Sequence, residues 1–163
     1  MNKKHDLVIV ITLITTITFA ILLCLQLVCF KVGISIIGIC ITIAFGRLKL
    51  IMQNDLIFKD LFEYFNHKYD EKFNDKLNEF VKKNKLEKED KDLIIDYINM
   101  CAEQYLWYRK GRIDPYVWKS WVKGMKHFLF NGGEIKEVYQ LEKEKHKGSY
   151  YGFMEYMDKT RLK

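Results

Sequence analysis

At 163 residues the chain is long enough for one domain of ordinary size, 49% of it is hydrophobic, and its formal net charge is +6. The charge is unevenly divided: residues 1–52 hold five Lys/Arg against Asp6, whereas residues 53–163 hold 22 Lys/Arg against 20 Asp/Glu. The basic balance therefore belongs mainly to the flanks of an apolar segment, which argues against nucleic acid as a partner, because phosphate binding needs clustered, unpaired positive charge.

Residues 7–30, LVIVITLITTITFAILLCLQLVCF, contain no charge. As a helix of 1.5 Å rise they reach roughly 36 Å, enough to cross a hydrocarbon core of about 30 Å with some tilt. The preceding MNKKHD suits the charged start of a signal peptide. The apolar run is longer than such a peptide needs, and no small-x-small cleavage site follows it. Lys31-Val32-Gly33 interrupts the run, and a second apolar stretch over 32–50 ends around Gly46-Arg47-Leu48-Lys49. Arg47 and Lys49 can keep their charges at the interface while their stems stay in apolar surroundings. The economical reading is a transmembrane helical hairpin, 1–52, with Lys31 at its tip. Lys3, Lys4, Arg47 and Lys49 flank its ends and place both termini in the cytoplasm. One span followed by a membrane-lying helix is the competing topology. No ionisable residue lies deep within either span, so a proton relay inside one copy is not expected.

From Asn54 onward the pattern is helical. Leu56, Phe58, Leu61, Phe62, Phe65, Tyr69, Phe73, Leu77 and Phe80 recur at steps of mostly three and four and predict a long amphipathic helix. The alternating charges opposite them read as a solvated face. KKNKLEKEDKD, with Leu86 as its one apolar residue, is the best linker. A second helix carries Leu93, Ile94, Tyr97, Ile98, Cys101, Tyr105 and Tyr108 and stops at Gly111, a left-handed C-terminal cap. Asp114-Pro115 starts a third, with Asp114 as N-cap, Pro115 at the first helical position, and Ile113 and Trp118 as a hydrophobic staple. Gly132-Gly133 ends it. A fourth helix begins near Glu134, with Ile135, Val138, Tyr139 and Leu141 apolar, and Gly148 breaks it. YYGFMEYMDKT reads as a short aromatic tail able to form a helix. The fold class is all-α: an N-terminal transmembrane hairpin followed by a cytosolic bundle of about four helices over 53–163.

Little in the chain carries chemistry. His5, His67, His127 and His146 lack zinc-helix spacing, and Cys24, Cys29, Cys40 and Cys101 form no CxxC. No nucleophile elbow, phosphate loop or dinucleotide fingerprint is present. No catalytic, cofactor-binding or metal-ligating residue is assigned. The aromatic-basic segment holding Tyr105, Trp107, Tyr108, Arg109, Lys110, Arg112, Trp118 and Trp121 suits base stacking. Helical phase instead turns Trp118 and Trp121 toward the core and leaves the basic residues on an exposed turn, where a protein or a lipid headgroup is the other expected contact.

Phe65-Asn66…Tyr69-Asp70 and Tyr108…Gly111…Ile113-Asp114…Trp118 resemble motifs of small bacterial membrane proteins with two N-terminal spans and a cytosolic helical domain. The resemblance covers most of residues 55–140. Some of that group are described as phage abortive-infection proteins. A more distant likeness is to the membrane accessory proteins of RNA-targeting CRISPR loci, some of which are compared with HEPN ribonucleases. The resemblance implies a setting in bacterial phage defence; the membrane hairpin and a partner-like helical domain without catalytic groups lead to the expectation of an inner-membrane protein that forms homo-oligomers and perturbs the bilayer, with a cytosolic protein as a further partner. A degenerate HEPN-like ribonuclease is one alternative; a non-catalytic scaffold recruiting a cytosolic partner is the other. Such ribonucleases place a His four to six residues after an Arg, and none of Arg47, Arg109, Arg112 or Arg161 has one.

Overall fold

The computed structural model describes residues 3–25, 30–83, 85–146 and 148–161. Residues 26–29, which would end the expected first span and include Gln26 and Cys29, lie outside the described residues, as do the side chains of Lys3, Lys4, His5 and Cys24. Among the described residues all regular structure is helical and there is no strand. Contacts divide the chain into two compact units, Met1–Leu56 and Ile57–Lys163.

The first unit contains α1 (Lys3–Cys24) and the start of α2 (Phe30–Lys68). The helical stretch Phe30–Phe80 is long and apolar enough to cross a membrane; the described apolar part of α1, Val10–Leu23, is shorter. Gly33 lies where the two helices meet, and a Cβ there would overlap the side chain of Leu23. Many other described apolar side chains point outward: Leu7, Val10, Ile11, Leu13, Ile14, Ile17 and Ile21 on α1, and Val32, Ile34, Ile39, Ile41, Ile43 and Phe45 on α2. A helix that is apolar all round needs apolar surroundings. The hydroxyls are already satisfied. Thr15, Thr16, Thr18, Ser35 and Thr42 each donate to the carbonyl four residues back, at 2.8–2.9 Å.

The second unit is a helical bundle with one aromatic core. The end of α2 leads through a π-helical turn (Tyr69–Asn74) into α3 (Asp75–Phe80). The sequence supplies the reason for this turn. Leu61, Phe65, Tyr69, Phe73 and Leu77 are spaced four apart, and in an α-helix each such step drifts by roughly 40°. Bonding to the fifth residue winds more residues into each turn and offsets the drift. Phe65, Phe73 and Leu77 are buried together as a result. The linker is tied down by Leu86, which is buried.

Helix α4 (Lys88–Arg109) is central and contacts α5 (Pro115–Asn131), α6 (Glu134–Lys145), a 3₁₀ turn (Tyr150–Gly152) and α7 (Phe153–Arg161). The α4–α5 connection forms as its residues predict. Gly111 is left-handed at φ +68. Its N–H bonds the Tyr108 carbonyl at 2.8 Å and the Arg112 N–H bonds the Trp107 carbonyl at 3.0 Å, the paired bonds of a Schellman cap. Asp114 Oδ1 accepts from the Tyr116 and Val117 N–H groups at 2.7 and 3.4 Å. Ile113 and Trp118 are both buried.

Two expectations need adjustment. Leu141 is not on the inner face of α6 but 65% exposed, and Glu142 is buried instead. That inward carboxylate is tolerated because the Tyr150 hydroxyl donates to its Oε2 at 2.8 Å. Residues 150–161 are not a peripheral tail but contribute to the core: Phe153, Met154 and Met157 are buried. It is held by Trp118 Nε1 donating to Tyr156 Oη at 2.9 Å and by the Lys143–Asp158 ion pair at 2.6 Å. Lys126 also donates to the Thr160 carbonyl.

Trp118→Ala, which empties a site only 2% exposed, should cost about 3–5 kcal/mol. Asp114→Ala, which removes only a cap, should cost about 1 kcal/mol. Urea unfolding of the full chain in mild detergent, followed by circular dichroism, measures both; equal effects would contradict the packing described.

Candidate functional site

The segment 101–125 that draws attention in the sequence is mostly structural. Tyr108 stacks on Trp118 with centroids 4.9 Å apart and planes 14° apart. Tyr105 lies 4.8 Å from Tyr156, and Trp121 lies parallel to Phe62 at 6.1 Å and edge-on to Phe65 at 6.0 Å. Trp118 is buried and Trp121 half-buried; Arg109 and Lys110 are exposed at the turn, and Arg112 is partly so. Lys110 Nζ covers the Trp107 ring at 4.8 Å. In the other motif, Phe65 is core, while Tyr69 and Asp70 open the π-helical turn.

A less legible site lies where that turn, α4 and the 3₁₀ turn come together. Lys68, Lys72, Asp96, Asn99, Glu103 and Tyr151 line a cavity of about 310 Å³. A second, of about 720 Å³, shares Asn99 and Tyr151 and adds Ile95, Glu142, His146 and Tyr150. Tyr151 thus borders both cavities. Its backbone is unusual: Tyr150 and Tyr151 sit at φ 61 and 55, in the left-handed region that costs an ordinary residue about 1–2 kcal/mol. Such geometry persists only where surroundings impose it. Here Arg109 Nη1 donates to the Tyr151 carbonyl at 3.2 Å, and the Tyr150 hydroxyl is held by Glu142. The His146 imidazole stands 3.6 Å from the same Glu142 oxygen. Lys72 and Asp96 pair at 2.6 Å across the mouth of the smaller cavity.

The lining is polar and of both signs, able to hydrogen-bond a polar ligand or a peptide segment. Among the described residues no three His, Cys, Asp or Glu side chains converge as metal ligands. Cys101 is buried and Tyr97 lies beside it in the core; burial pushes the thiol well above its ordinary range, so it is an inert packing group. His127 is exposed and packs edge-on to Phe128 at 5.0 Å. Sequence reasoning did not single out Tyr150 or Tyr151. The available signal was a tyrosine pair set between Gly148 and Gly152, both at positive φ.

No protein-family model, curated protein or solved structure matches the chain.

The buried phenols impose a pH dependence. Burial raises the pKa of Tyr69, Tyr97, Tyr105 and Tyr150, and the Glu142 carboxylate raises that of Tyr150 further. The folded state therefore keeps protons that the unfolded chain releases near pH 10, and Cys101 does the same from about pH 8.5. Stability is complete below those values and falls as pH rises through them. Urea midpoints should decline above about pH 8.5 and more steeply above 10. Tyr150→Phe should be less stable at neutral pH, having lost its bond to Glu142, but decline less steeply; parallel curves would show that Tyr150 does not titrate as described.

Proposed function

We propose that the chain is a membrane-anchored helical accessory or effector protein of the bacterial inner membrane. In this reading α1 and the apolar start of α2 are two spans, and both termini and the bundle are cytoplasmic. The observation that carries it is the outward display of apolar side chains on both helices of the first unit, with Ile17 59% and Phe45 71% exposed. In water that surface would be a strong driver of aggregation. In lipid it is the ordinary state, and the hydroxyls of Thr15, Thr16, Thr18, Ser35 and Thr42 are satisfied by their own helices without water. Lys31, between the two apolar stretches, suits the tip of the hairpin. Arg47 and Lys49 suit the cytoplasmic interface.

The mechanism proposed is assembly of several copies and perturbation of the bilayer. The two motif segments and their resemblance to abortive-infection proteins supply the setting of phage defence. Small residues within the spans permit close helix approach, as Gly33 does against Leu23. A scaffold that recruits a cytosolic partner is the second reading. The polar groove around Tyr151, lined by residues of the bundle, favours it.

On expression in a bacterium the full chain should sediment with membranes and resist alkaline carbonate extraction. Ile17→Lys combined with Ile39→Lys should weaken retention. Release of the unaltered chain by carbonate would refute the anchor. With a potentiometric dye, induction or infection should depolarise the cells; protection against phage with the potential intact would replace the perturbing effector by the scaffold.

A further inference from the structure

The near balance of charge in residues 53–163 conceals a strong segregation. Between Arg109 and Asn131 there are six Lys/Arg, namely Arg109, Lys110, Arg112, Lys119, Lys123 and Lys126, against Asp114 alone. The remainder of 53–163 holds sixteen Lys/Arg against nineteen Asp/Glu. Helix α5 itself contains no carboxylate. Asp114 is occupied by the backbone N–H groups it caps. Among the described residues none of the six cations is paired with a carboxylate, although ion pairs are frequent elsewhere in the bundle.

Helical phase gathers part of this charge on one side. Trp118, Val122, Met125 and Leu129 face the core. Tyr116, Lys119, Lys123 and His127 form the opposite, exposed stripe, and Tyr116 is 86% exposed. On another flank of α5, half-buried Trp121 stacks on Phe62, which is exposed. A helix with a lysine stripe and an exposed tyrosine on one face, opposite its apolar face, has the composition of one that lies against a bilayer.

We propose that the outer face of α5, with the basic turn before it, binds an anionic bilayer surface through lipid phosphates. The inference rests on the anchored reading above, since the tether keeps this face at high effective concentration near lipid. Charge complementarity selects the occupant: unpaired lysines near an anionic leaflet are attracted within a Debye length. Single-stranded nucleic acid fits less well because it needs several open ring faces for stacking, and only Tyr116 of the described aromatic residues on this face offers one. Trp107 is covered by Lys110, Trp118 is buried, and Trp121 lies against Phe62.

The test uses the unaltered full chain reconstituted into vesicles of phosphatidylcholine alone or with a third phosphatidylglycerol. Lysines are acylated by a water-soluble ester and quantified by mass spectrometry. Exposed Lys91 and Lys159 serve as internal references, which removes the effect of orientation. Lys119 and Lys123 should be protected about fivefold or more in the anionic vesicles, with the protection lost in 1 M salt. Lys119→Glu with Lys123→Glu should abolish any protection of the neighbouring Lys110 and Lys126 without altering vesicle flotation. Equal acylation in both lipids, with the protein still floating with the vesicles, overturns the docking face and leaves the anchor standing. Failure to float with either lipid overturns the anchor itself. Protection of the same lysines by a single-stranded oligonucleotide that displaces them from anionic vesicles overturns the choice of lipid.

Discussion

The bundle depends on the burial of one indole. Trp118 is stacked on Tyr108, lies near Tyr105 and donates its N–H to Tyr156. It therefore joins α4, α5 and α7 in a single contact set. Burying so large a ring removes much apolar area from water, and the buried N–H requires an acceptor. Tyr156 of α7 supplies it. Helix α7 is thus fastened by a residue in the first turn of α5, and the tight α4–α5 connection places that residue. Gly111, Ile113 and Asp114 matter through this geometry: the glycine turns the chain, the aspartate starts the helix, and the isoleucine packs beside the start.

The two units treat polar groups in opposite ways. In the first, each described hydroxyl bond returns to the helix's own backbone, and the apolar side chains face out. In the second, polar groups connect different elements: Tyr150 to Glu142, Arg109 to Tyr151, Lys143 to Asp158. Water competes for the second kind and stabilises what they leave open; hydrocarbon does not. The contrast gives the anchored reading its physical basis.

Within the bundle, local irregularity and charge are each concentrated. The π-helical turn and the left-handed tyrosine pair both border the polar groove, where a regular helix or an ordinary turn would be cheaper. Unpaired positive charge is collected on α5 and the turn before it, while acidic residues dominate the rest. The groove and the cationic face are lined by different residues of one small bundle.

Much of the helical layout is local and was legible residue by residue. The cap at Gly111, the start at Asp114-Pro115 and the core positions of Phe65, Tyr97 and Trp118 follow from backbone sterics, hydrogen-bond capping and 3.6-residue periodicity, which neighbouring residues alone decide. The absence of a charge from residues 7–30 is equally a property of the chain. Tertiary structure decided what depends on a distant partner. Glu142 turns inward because Tyr150 meets it, and residues 153–157 are core because α4 and α5 leave room for them. Tyr150 and Tyr151 keep a costly backbone because Glu142 and Arg109 hold them. Periodicity reports which face of a helix is apolar; what lies opposite that face is settled only when elements remote in the chain pack together.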